Sequence, residues 1–145
     1  MLSRVAERAY WLARYMERAE HTARFVNVYS TLLLDLPRSA GLGWDLALKI
    51  NGSTDAFTAT GQQATALNML QYLLHDPSNP SSLLGSLTMA RENTRTTRDI
   101  VPTEIWRAVN ELCLYARQHL PAAVAERQRA EVMANIVMSV QGITG

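Results

Sequence analysis

The sequence has one cysteine, Cys113, and one lysine, Lys49. A lone cysteine excludes an intrachain disulfide and a Cys-based zinc site. It fits a reducing, cytoplasmic setting. Glycine and proline are sparse, with seven and five residues, and none lies between Met1 and Leu36. Charge of one sign is also lacking: fourteen Lys and Arg face thirteen Asp and Glu, a net +1. A dedicated nucleic-acid surface is usually clearly basic, so that class is excluded. Apolar runs such as Leu32-Leu33-Leu34 are far too short to cross a bilayer. The opening Met1-Leu2-Ser3-Arg4 runs into a charged segment and has no leader pattern.

What is present is apolar material for one core. Hydrophobic residues make up 48% and charged residues 19% of 145, which fits a single domain over 1–145. The basic residues other than Lys49 are all arginine. Arginine's planar fork suits carboxylates and phosphates, although codon bias yields the same composition.

Periodicity predicts helices throughout. Residues 3–34 read as one helix with Ser3 as cap. Val5, Leu12, Met16, Ala19, Ala23, Val26 and Leu33 share one side, widened by Trp11, Tyr15 and Tyr29. Residues 37–43 break the pattern. A short helix is expected at 44–50, stopped by Asn51-Gly52, then a loop at 53–61. Thr60-x-x-Gln63 reads as a capping box opening a helix over 61–75. Asp76-Pro77-Ser78-Asn79-Pro80 is strong punctuation, with Asn79 as cap of a helix over 80–100. Another helix begins at Pro102 and ends before Pro121, and a last one spans 123–141. No strand-like alternation is sustained. The expected fold is an all-α antiparallel bundle of five to six helices with a long first helix.

Two polar sets could carry chemistry. The first holds Arg14, Glu17, Arg18, Glu20, His21 and Arg24, whose spacings of three and four put them on one surface. The second holds Arg91, Glu92, Arg95 and Arg98. If the two helices pack together, Glu20 and Glu92 sit among arginines and could take a carboxylate or phosphate ligand. A solvated face, or ion pairs that fix register, explains the same residues. No Glu is followed by His three residues later, so a di-metal bundle is excluded, and no metal or cofactor is called for. His75 and His119 fall at helix ends, where positive charge is favourable. Cys113, between Leu112 and Leu114, reads as inert packing. Trp11, Trp44 and Trp106 read as core. The Glu and Arg mixture on the first helix argues against an interfacial membrane helix.

Several stretches together resemble one bacterial family. They are Met1 through Arg24, Leu32-Leu33-Leu34-Asp35, Asp76 through Ser82, Ala90-Arg91-Glu92-Asn93-Thr94-Arg95 and Glu104-Ile105-Trp106. They resemble the alpha-E domain proteins and cover most of the chain in order. The resemblance implies an all-helical fold, with Glu17, Glu20 and Glu92 and Arg14, Arg18, Arg24, Arg91 and Arg95 as signature residues. It also implies neighbours of the ATP-grasp ligase, transglutaminase-like and proteasome-like classes, hence a role in making, attaching or processing a peptide. Members usually continue into a second helical half opening Arg-Tyr-x-Glu-Arg-Ala, and no second copy of that pattern follows here. The chain is therefore expected to match the N-terminal half, either as a truncated form or with the missing half supplied by another chain. Its last helix is expected to lie uncovered, so that a homodimer or a half from another chain would cover it. Three functional readings stand: an accessory protein binding a peptide or partner, an enzyme using Glu20 and Glu92 as acid and base, and a structural oligomerisation module.

Overall fold

The computed structural model describes residues 2–35 and 43–144, with the side chains of Leu2 and Glu126 left aside. The expected break at 37–43 lies outside the described residues but for Gly43. Seven helices are described: α1 Leu2–Asp35, α2 Trp44–Ile50, α3 Thr54–Ala59, α4 Ala66–Leu74, α5 Leu83–Arg95, α6 Thr103–Ala123 and α7 Glu126–Thr144. The described residues contain no strand, so the all-α expectation holds, with one helix more than expected.

The extra helix is α3. Residues 53–61 wind into a short helix because Phe57 has a core to enter, where it meets Tyr72 edge-on at 5.4 Å. The next helix then starts later than the capping-box reading. Gly61 has φ +74, a left-handed turn that glycine adopts at little cost. The side chain of Thr65 instead accepts the Asn68 N–H and caps α4. The same displacement recurs at α5. Ser82 accepts the Gly85 N–H as cap, while Asn79 turns inward and donates to the Tyr72 carbonyl. A third difference lies in α6, which runs through Pro121 to Ala123. Pro121 lacks the N–H that would bond the Arg117 carbonyl, and because only Ala122 and Ala123 follow it in the helix, the break ends α6 and does not kink a long segment.

Four long helices pair in a closed ring. α1 packs on α5 and α7, and α6 packs on the same two. Short connections make α5, α6 and α7 successively antiparallel, which gives an up-down-up-down bundle. Met16, Ala19, Ala23 and Val26 of α1 are fully buried in its centre. The small residues let α5 and α7 approach closely. Helices α2 to α4 form a cap between α1 and α5: α2 packs on α3 and α4, and α4 on α5 and α6. The aromatic seam Phe25–Tyr29–Trp44 ties α1 to α2, and the Tyr29 hydroxyl donates to the Gly43 carbonyl.

The last helix is not uncovered. Val132, Met133, Ile136 and Val140 are buried against α1 and α6. The expected bare face of α7 is therefore corrected, because α1 is long enough to close the ring within one chain.

Candidate functional site

The first-helix polar set faces outward. Arg14, Glu17, Arg18, His21 and Arg24 are exposed, and only Glu20 is half-sheltered. Arg24 Nε donates to Glu20 Oε2 at 2.9 Å, and Arg14 lies 3.6 Å from Glu17. Arg14 and Arg18 lean over the rings of Tyr10 and Tyr15. The reach of an arginine side chain, one turn along the same helix, satisfies most of these charges locally.

The second set is dispersed. Arg91 crosses to α6 and donates to Asn110 Oδ1 at 2.7 Å. Arg95 grips Glu92 with two hydrogen bonds, of 3.0 and 2.5 Å. That grip, opposed by desolvation and aided by the charges of Arg95 and Arg91, holds the Glu92 carboxyl below the ordinary range. Arg98 stacks over Trp106 at 4.8 Å. Glu20 and Glu92 each sit with an arginine of their own helix, and no hydrogen bond or ion pair joins the two sets.

Glu92 instead opens onto a cleft further up the bundle. It is lined by Arg4, Glu7, Arg8, Trp11 and Tyr15 of α1 and by Met89, Glu92 and Asn93 of α5, with a volume of about 260 Å³. A second chamber of about 220 Å³ lies beside it, walled by Val5, Ala9, Leu12, Ile100 and Ile105. A third, of about 510 Å³, is bordered by Arg4, Arg8, Thr96, Thr97 and Asp99. Arg8 borders all three, so they form one groove along the α1–α5 seam. Among the described residues, neither Arg4 nor Arg8 has an ion-pair or hydrogen-bond partner. Trp11, expected in the core, is 42% exposed at the groove's edge.

Of the expected site residues, only Glu92 lines this groove. Arg4, Glu7 and Arg8 were missed, and Asn93 falls within the signature stretch without being named as a site residue. Arg4, Arg8, Trp11 and Tyr15 follow one another at spacings of four, three and four, a single stripe that is visible in the sequence.

A further missed residue is structural. Arg129 of α7 is buried, and its guanidinium donates to the Ala123 and Val124 carbonyls and to Ser30 Oγ. It also lies over the Trp44 ring at 5.5 Å. It satisfies the terminal carbonyls of α6 that would otherwise lack partners. The signal was its position on the apolar side of α7, three, four and seven residues before Val132, Met133 and Ile136.

Cys113 is buried and free, and Thr88 Oγ1 is its polar neighbour at 4.0 Å. His75 terminates α4, and His119 stacks on Tyr115 in the last turns of α6. No described helix is long and apolar enough to cross a membrane.

The fold and groove define an all-helical bundle domain with an arginine-lined cleft on its first helix. The chain belongs to the alpha-E family, described as a predicted alpha-helical domain with a conserved ER motif, and the match spans residues 1–145. Glu-Arg pairs occur here at Glu7-Arg8, Glu17-Arg18 and Glu126-Arg127, and the first of these lines the groove. No curated protein and no solved structure matches the chain.

Proposed function

We propose that this domain is a binding protein that holds a peptide segment in the α1–α5 groove, as an accessory to a peptide-ligation or peptide-processing system. The observation that carries this reading is the pair Arg4 and Arg8, cations without a partner among the described residues, with Arg8 at the junction of three chambers and Arg4 bordering two of them. Cations left without partners in a cleft favour an anionic ligand, and arginine favours a carboxylate through paired N–H donors. Exposed Trp11 and Met89, with half-buried Tyr15 between them and the core, add apolar contact of the kind that anchors peptides.

The link to an ATP-grasp ligase rests on the resemblance of the signature stretches. Co-purification of such a ligase, encoded beside this chain, tests it. Wild type is expected to retain the ligase, and Arg8→Glu to release it while the circular dichroism stays unchanged. Retention by Arg8→Glu would remove the groove from the role. Self-association rests on a different face, where Val28 and Leu32 of α1 stand exposed one turn apart. A light-scattering mass of one chain across a wide concentration range would remove it.

An enzyme built on Glu20 and Glu92 has less support. The two carboxylates occupy separate ion pairs, and Arg95 keeps Glu92 ionised, which is opposite to what a general acid needs.

A further inference from the structure

The groove's three chambers differ in chemistry, and Arg8 is the residue they share. The middle chamber is apolar: Val5, Ala9 and Leu12 from α1, Ile100 and Val101 from the turn after α5, and Ile105 from α6. Its volume of about 220 Å³ exceeds that of any aliphatic side chain. The flanking chambers hold the charges, Arg4 and Arg8 with Glu7 and Glu92 on one side and with Asp99 on the other. An arginine stem can wall an apolar space while its guanidinium stays at the opening. A carboxylate on Arg8 and an apolar group in the middle chamber must therefore be close together in the ligand.

That proximity discriminates between kinds of carboxylate. In an extended peptide, neighbouring side chains point to opposite faces, and those two apart are separated by about 7 Å. An internal Asp or Glu thus presents its carboxylate away from the adjacent apolar side chain. A chain-terminal residue has both groups on the same carbon. We infer that the groove is a receptor for a peptide C-terminus, with the free α-carboxylate held by Arg4 and Arg8 and the last, apolar side chain in the chamber beneath.

The rest of the groove supports a peptide over a free amino acid. The cleft beyond Arg8 extends past Trp11 and Tyr15 to Met89, which gives upstream residues an apolar surface to cross. Glu7 and Glu92 line the same stretch and can accept backbone N–H groups of those residues. A free amino acid would leave this part of the groove empty. The inference rests on the groove being a binding site, and it adds which end of the ligand enters and what side chain it carries.

The test uses the full chain and fluorescein-labelled hexapeptides ending in leucine, read by fluorescence anisotropy. One peptide has a free C-terminus and the other a C-terminal amide. The free acid is expected to bind about tenfold or more tightly than the amide, a gap set by the charge-assisted bonds to Arg4 and Arg8. Arg8→Gln should erase that difference. Ala9→Leu, at an exposed helical position bordering the chamber, should weaken the leucine-ended peptide and spare one ending in glycine. Equal binding of acid and amide overturns the terminus inference and leaves peptide binding by the groove intact. Free leucine competing as well as the acid peptide overturns the choice of a peptide. No binding by any hexapeptide overturns both readings.

Discussion

At the scale of single residues, local partners decide what each charge does. Arg129 is the clearest case. Its guanidinium meets two carbonyls, a hydroxyl and an indole in a buried setting. Arg129→Ala strands those carbonyls and opens a gap, so a loss of about 3 kcal/mol is expected in urea denaturation. Lysine keeps the charge but cannot fork to both carbonyls, so Arg129→Lys should recover only part of that. Gly85 is constrained differently. A Cβ there would lie 2.5 Å from the Pro80 carbonyl oxygen. Gly85→Ala should therefore destabilise by about 1–2 kcal/mol, even though alanine is the better helix former, and Tm measures it. Asp76 carries the pH dependence of the same turn. Partial burial pushes its carboxyl up, but hydrogen bonds from the Ser78 N–H, Gln62 and the Ser78 hydroxyl, with His75 nearby, bring it below its ordinary 3.8. A lowered carboxyl stabilises the fold above its unfolded pKa, and that contribution is lost as pH falls through the folded one. Asp76→Asn should flatten the acid limb of a Tm-versus-pH curve that starts near 3.8.

At the scale of elements, the polar sets on α1 and α5 divide their work. The pairs Arg14–Glu17 and Glu20–Arg24 lie along one helix and are open to water, where such pairs contribute well under 1 kcal/mol. Glu20→Gln is therefore expected to shift Tm little and to leave groove binding unchanged. Arg91 has a different task, joining α5 to α6 through Asn110. Arg91→Ala should lower stability by about 1–2 kcal/mol, measured by denaturant midpoint, without changing peptide affinity. The residues that would carry binding lie one to three turns earlier on α1, where α5 ends and its turn leads into α6.

At the scale of the molecule, the ring α1–α5–α6–α7 makes the core one cooperative unit. Met133 and Ile136 of α7 sit fully buried between α1 and α6. Ile136→Ala should cost about 2–5 kcal/mol and shift the whole helical signal in one transition, because every long helix loses contact with the same core. Closure of the ring also removes the reason for expecting a second chain over α7. The groove survives closure because α5 stops at Arg95, well before the N-terminal turns of α1 find a partner of equal length.

Periodicity alone determined the helical class, the long first helix and the bounds of α2, because apolar spacing and cap residues act over a few neighbours in sequence. It also placed the charges of Glu17, Glu20 and Arg24 on one stripe. Only the tertiary structure decided that this stripe faces water, that Thr65 and Ser82 outrank Thr60 and Asn79 as caps, and that Arg4 and Arg8 meet α5 without a partner. The reason is physical. Which of several competent caps is used, and which face of a long amphipathic helix is covered, depends on burial by helices far away in the chain. Spacing within one segment carries no record of that burial.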